Sequence, residues 1–145
     1  MNKYTKVEKI RINSVGWMMK MISSRLDSLI KQELKRLGLD LKQFGVLMAL
    51  LEEEGLTQTE IGKKITLPGY ATTRTIDALE KKQLIERHTD ERSRRSYRIY
   101  LTNKGHAIGP KLFIIINKVN EDLLSVLPAM ERKQLATILQ KILLV

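Results

Sequence analysis

Four arginines fall within seven residues, at Arg92, Arg94, Arg95 and Arg98, and no acid interrupts them after Glu91. Guanidinium groups at that density suit the narrow, electronegative minor groove of DNA. A solvated charged loop is the alternative, but ordinary surface loops mix their signs. A second cluster, Tyr70, Ala71, Thr73, Arg74 and Asp77, shares one helical face opposite Ile76 and Leu79. Arg74 is its only long cation, and a guanidinium donates two parallel bonds to the O6 and N7 edge of guanine. Thr73 is suited to a phosphate contact. The competing reading for Arg74 is an internal pair with Asp77.

The chain of 145 residues carries a net charge of +10. Residues 57–104 hold eleven basic and six acidic side chains, so half of the excess sits in a third of the chain. An excess of this sign favours an anionic partner, nucleic acid or an acidic membrane surface, and its concentration beside the arginines favours nucleic acid. The pairs Lys63-Lys64 and Lys81-Lys82 read as steering charge, because lysines near helix ends also offset the macrodipole. The longest apolar run, around Val46 to Leu51, is far below the ~18 residues that span a bilayer. The opening MNKYTKVEKIR has no apolar leader segment. A cytoplasmic protein without a membrane partner is expected.

Enzymatic readings find little material. With no cysteine there is no disulfide, thiol nucleophile or thiolate metal site. His88 and His106 lack metal-ligand spacing, no glycine-rich phosphate loop occurs, and Glu52-Glu53-Glu54 reads as a solvated helix end. No catalytic residue, metal or cofactor is expected.

The elements that must position the cations follow from punctuation. Met18, Met21, Ile22, Leu26, Leu29 and Ile30 recur at helical steps and predict one long helix over residues 6–37, stopped by Gly38. Asp40 with Gln43, and Thr57 with Glu60, form two capping boxes. They open helices running to about Glu54 and to Ile65, the first ended by Gly55. After Leu67-Pro68-Gly69 a further helix places Thr72, Ile76, Leu79 and Gln83 on one face, its early inward positions unusually polar. Leu84 to His88 and Ser96 to Leu101 read as a hairpin around the tip TDERSRR. Thr102 caps a helix that Pro110 is expected to kink or restart. Pro128 opens the last, where Leu135, Ile138, Leu139, Ile142 and Leu143 form a packing stripe. Two short helices, a tight turn and a hairpin make a winged helix-turn-helix, whose second helix fits the major groove.

The stretch LDLKQFGVLMALLEEEGLTQTEIGKKITLPGYATTRTIDALEKKQLIERHTDERSRRSYRIYLTNKG resembles the MarR family of bacterial transcriptional regulators. Thr73-Arg74, the run Leu79 to Lys82, the tip Asp90 to Arg95, and Leu101-Thr102 with Gly105 carry the likeness. It implies a mainly α fold with a small β-hairpin wing. One domain, residues 1–145, would contain a winged helix-turn-helix at 39–105 and dimerisation helices at 1–37 and 106–145. It further implies a homodimeric repressor on a palindromic double-stranded operator, with a small effector bound between the two regions. By position, Tyr70, Ala71 and Arg74 occupy base-facing sites and Thr73 a backbone-facing one. Arg92 lies at the wing tip, and Arg94 and Arg95 are the wing arginines, Arg95 the minor-groove finger. Gln83 stands where the family usually has glycine, Ser93 where aspartate is common, and Pro110 interrupts a long helix.

The terminal helices also carry more apolar surface than a small head can cover, as dimers require. Trp17, Met18, Met21 and Phe44 are candidates to line a cleft for an aromatic or phenolic ligand, although such residues at helical spacing are commonly core. A nonspecific architectural DNA binder and a winged-helix protein-interaction module remain the competing functions.

Overall fold

Three helices begin with the same reciprocal device. In the computed structural model, which describes residues 4–145, Thr5, Asp40 and Thr57 accept bonds from the backbone N–H groups of Glu8, Gln43 and Glu60. Those three side chains in turn accept the N–H of the capping residue. Each box satisfies two backbone donors that a helix start leaves open. The boxes at Asp40 and Thr57 follow the sequence expectation; the one at Thr5 starts a helix that the sequence reading merged with the next.

The element order is α1 Lys6–Asn13, α2 Val15–Leu34, a 3-10 turn Lys35–Leu37, α3 Leu41–Glu52, β1 Leu56–Thr57, α4 Gln58–Ile65, α5 Gly69–Lys81, β2 Ile85–Asp90, β3 Ser93–Leu101, α6 Asn103–Leu124 and α7 Ala129–Leu143. The expected helix over 6–37 is therefore broken at Ser14. That residue is extended, and its Oγ accepts the N–H of Trp17 as a new cap. A serine hydroxyl offers the backbone this alternative to continuing a helix. The strand β1 has no sequence signature, being two residues long. It pairs Leu56 with Ile99 and Thr57 with Arg98, giving the antiparallel sheet order β1-β3-β2.

Three chain reversals use one motif. Leu39, Leu67 and Leu84 return their N–H groups to the carbonyls of Leu34, Gly62 and Leu79, five residues back. The residue before each leucine is left-handed: Gly38, Thr66 and Gln83. This is the Schellman geometry, with a leucine tucked under the helix it ends. Gln83 consequently leaves the inward face assigned to it and occupies the position that glycine tolerates best.

The chain divides into two compact units, one made of the segment ending at Leu26 with Ile116–Val145, the other of Asp27–Ile115. In the second unit Leu34, Val46, Leu47, Leu50, Ile61, Ile76, Leu79, Ile85, Ile99 and Leu112 are fully buried. Each such aliphatic side chain contributes roughly 1.5–3 kcal/mol of transfer free energy. Gly105 seals this core: a Cβ there would lie 2.0 Å from the carbonyl oxygen of Leu84. Thr102 caps α6 as expected, accepting the N–H of Gly105. The helix then runs unbroken through Pro110, forgoing only the bond that residue 110 would return to His106.

In the first unit the expected stripe on α7 is not packed within the chain. Ile138, Ile142 and Leu143 are exposed, and α7 has no buried residue. Arg132 anchors the start of α7 by reaching Glu121 at 2.9 Å and the carbonyl of Leu127. Residues 1–3 of the expected dimerisation segment lie outside the described residues.

Two substitutions test these backbone constraints by chemical denaturation. Gln83→Gly is expected to raise stability by about 0.5–1 kcal/mol, since it relieves a left-handed residue with a side chain. Gly105→Ala is expected to cost ~2 kcal/mol or more, because the obstacle is backbone.

Candidate nucleic-acid interface

Helix α5 lies close against α4. A Cβ on Gly62 would meet the Thr72 hydroxyl at 2.9 Å, so the crossing needs glycine there. The unusually polar inward positions are satisfied locally: Thr72 donates to the carbonyl of Pro68 at 3.0 Å, and Thr75 to that of Ala71 at 2.7 Å. Pro68, extended and without an N–H to satisfy, caps α5. Ile76 and Leu79 then bury one face and turn the opposite one outward.

On that outward face Tyr70 is 74% exposed and Arg74 is exposed. Among the described residues neither has a hydrogen-bond or ion-pair partner. Ala71 departs from its expected presentation: only 7% exposed, it packs toward the core side of α5. Thr73 is exposed, yet its hydroxyl hydrogen goes to the carbonyl of Gly69 at 3.0 Å and its oxygen accepts from Gln58 at 3.1 Å. In this arrangement it ties α4 to α5 and has no hydrogen left for a phosphate. Asp77 does not pair with Arg74; it is taken by Arg87.

The wing differs from the expected loop-tipped hairpin. Its strands extend into TDERSRR and leave only Glu91 and Arg92 as the turn. Thr89 pairs with Tyr97 and Asp90 with Ser93, so Arg94, Arg95 and Ser96 have no opposite residue on β2. This bulge pushes the two arginines out of the ladder. Arg92, Arg94 and Arg95 are exposed, and among the described residues their side chains have no partner. Arg98 instead turns inward, with Nε 3.3 Å from Asp90 and Nη1 2.7 Å from the carbonyl of Gly55. Asp90 also accepts the Arg92 N–H and the Ser96 hydroxyl. The Arg92 backbone bond above all, then Arg98 and Ser96, hold its carboxyl below the usual aspartate value against the opposing effect of desolvation.

Several residues that set this geometry were not singled out by sequence. Arg87, on β2, reaches Gln58 at 3.1 Å, Glu80 at 3.0 Å and Asp77. Its signal was alternation, because it shares the inward register of Ile85 and faces Ile99, a position where a charge needs partners. Lys82, expected as steering charge, donates to the carbonyl of Gly38 and to Gln43. Lys64 likewise pairs with Glu52 at 3.0 Å.

The candidate ligand residues fall in both units. Trp17, Met18 and Met21 lie on α2 in the first and are partly exposed; Phe44 lies on α3 in the second and is half-buried. The Trp17 ring has Arg11 at 5.8 Å and Lys20 at 5.9 Å from its centroid, so cations attend it.

A helix-turn-helix with a basic, bulged wing defines the winged-helix class. A family model described as MarR family matches residues 37–96. Wild-type MarR from E. coli in its apo form is similar, with a TM-score of 0.84 and 27% identity over 90% of this chain and 96% of that one. A MarR transcriptional regulator from Methanosarcina mazei Go1 gives 0.83 and 26%, covering 89% and 93%. A mutant E. coli MarR complexed with operator DNA gives 0.78 and 27%, covering 91% and 95%. Over residues 37–96 and in its fold, the chain is similar to winged-helix regulators of the MarR family.

The charge state of Asp90 makes the wing pH-dependent. Its carboxyl titrates lower in the folded than in the unfolded chain, so its contribution is complete above the unfolded value near ~3.9 and disappears as pH falls through the folded one. Amide exchange at Arg92 is expected to stay slow from neutral pH down through pH ~4 and to accelerate below it. Asp90→Asn is expected to abolish that acid transition.

Proposed function

We propose that the protein is a sequence-specific DNA-binding regulator of transcription, acting as a cytoplasmic homodimeric repressor on a palindromic operator. The observation that carries this reading is a group of exposed arginines that have no side-chain partner among the described residues: Arg74, beside Tyr70 on α5, and Arg92, Arg94 and Arg95 on the wing. On this reading α5 enters the major groove, with Arg74 donating to guanine and Tyr70 covering the neighbouring step. The wing arginines enter the flanking minor groove, Arg95 deepest. The family-model match over residues 37–96 and the operator complex of the similar E. coli protein support the same partner.

Dimerisation draws its support from the exposed apolar side chains of the first unit. Val7, Met21, Ile22, Ile138, Ile142 and Leu143 are each more than half exposed, a surface that a second copy would cover. Two copies present two α5 helices to half-sites about one helical turn apart. An aromatic or phenolic effector would act through Trp17, Met18 and Met21 on α2. Trp17 is the single tryptophan, so such a ligand is expected to change its fluorescence with the same midpoint at which it releases DNA.

The primary test selects bound fragments from a genomic DNA pool at near-physiological salt, with the wild type and with Arg74→Ala. One enriched inverted repeat, lost in the variant, is the expected result. On that site Arg74→Ala is expected to cost ~1–3 kcal/mol and relax sequence preference, whereas Arg95→Ala weakens all sequences and lowers the salt slope by about one. Tight binding without enrichment would indicate an architectural DNA binder; no binding would indicate a protein-interaction module.

A further inference from the structure

Arg74 sits three residues from Asp77 on one helix, a spacing at which opposite charges pair readily. Left alone, that carboxylate would compete with DNA for the guanidinium. The structure disposes of it otherwise: the Arg87 side chain, only 17% exposed, comes from the base of the wing and lies between Asp77 and Glu80. Its Nη2 bonds Asp77, its Nη1 bonds Glu80 at 3.0 Å, and its Nε bonds Gln58 at 3.1 Å. Gln58 passes the connection to Thr73, next to Arg74. All three guanidinium nitrogens are thus occupied internally, and both carboxylates of the helix's outer side are neutralised.

Resting on the reading of α5 as the DNA-reading helix, we propose that Arg87 is a positioning residue for base recognition: by sequestering Asp77 it keeps Arg74 unpaired and available to DNA. Its wing origin adds a second consequence. The same side chain fixes β2 to α5 and α4, so the reading helix and the minor-groove arginines keep one relative placement. Arg87 itself is assigned no phosphate, since each of its nitrogens already donates within the protein and its side chain is only 17% exposed.

The test compares the wild type, Arg87→Met, and Arg87→Met with Asp77→Asn, measuring affinity for the selected operator and for random duplex across a salt series. Arg87→Met is expected to lower the ratio of specific to random affinity roughly tenfold, the scale of one lost bidentate base contact. Its salt slope on random duplex should match the wild type. Adding Asp77→Asn should recover most of the ratio, because no carboxylate is then left to capture Arg74. A slope reduced by about one would make Arg87 a phosphate contact and overturn the proposal. Failure of Asp77→Asn to recover the ratio would reduce Arg87 to a fold-stabilising role and overturn it equally.

A readout without DNA separates this proposal from the functional reading. The Arg74 Nε–H should exchange rapidly in the wild type, slow in Arg87→Met, and return to rapid exchange in the double variant. If the wild type selects no DNA, the functional reading fails while this signal still decides what Arg87 does. Should Arg87→Met not fold, Arg87→Lys, with its charge kept but a single point of contact, should give an intermediate shift in both ratio and exchange; unchanged values would overturn the proposal.

Discussion

A surface that must meet a polyanion has to keep its cations from its own carboxylates. That partition organises the winged-helix unit. Asp77 and Glu80 go to Arg87, Asp90 to Arg98 and Glu52 to Lys64. Among the described residues Arg74, Arg92, Arg94 and Arg95 keep no such partner, and all four are exposed, as are Lys63 and Lys81. Exposed ion pairs contribute at most about 1 kcal/mol each to stability. Their greater effect here is directional, since each pair fixes where positive charge is absent and therefore where the field is strong. The net charge of +10 attracts anions in general; the exposed arginines add to it on α5 and on the wing.

Keeping those cations in register requires backbone elements that do not drift. Capping boxes start α3 and α4, and Schellman turns end the segments before α3, after α4 and after α5. Each places a leucine, Leu39, Leu67 or Leu84, under the preceding helix. Two of the three left-handed positions carry a side chain, Thr66 and Gln83, at a cost of order 1–3 kcal/mol each if unrelieved. At Gln83 the surroundings hold the strained peptide: Thr102 donates to the Gln83 carbonyl, and Lys104 donates to that of Lys82 at 3.0 Å. The end of α5 is thereby fastened to the start of α6 at the place where Gly105 closes on Leu84.

Sequence was informative wherever the determinant was local. Asp40 with Gln43 and Thr57 with Glu60 are reciprocal bonds spanning three residues, and both were legible; so was the exposed arginine tip. It failed where a single hydrogen bond outweighed periodicity. The apolar pattern from Met18 to Ile30 extends back in sequence, but the Ser14 hydroxyl ends α1 and begins α2. Ala71 was misplaced because helical spacing defines a face only to within a residue, and this residue falls on the buried side of α5. Arg87 escaped notice because its partners Gln58, Asp77 and Glu80 lie 7 to 29 residues away. No local rule collects three such contacts into one site.

The wing shows how one side chain releases others. β3 is the central strand, and Arg98 sits at its middle, opposite Thr57 on one side and His88 on the other. By turning to Asp90 and the Gly55 carbonyl, it pins the hairpin at the point where the regular ladder stops. Beyond it the register slips, and three residues of β3 lie between the pairs that flank Thr89 and Asp90. A two-residue slip would have preserved the alternation of faces and left Arg94 and Arg95 on opposite sides of a flat ribbon. The bulge removes them from the pleat and gives both access to solvent. The arginine run is therefore functionally divided: Arg98 is a structural anchor whose carboxylate partner shapes the tip, and Arg92, Arg94 and Arg95 are the charges that the tip presents.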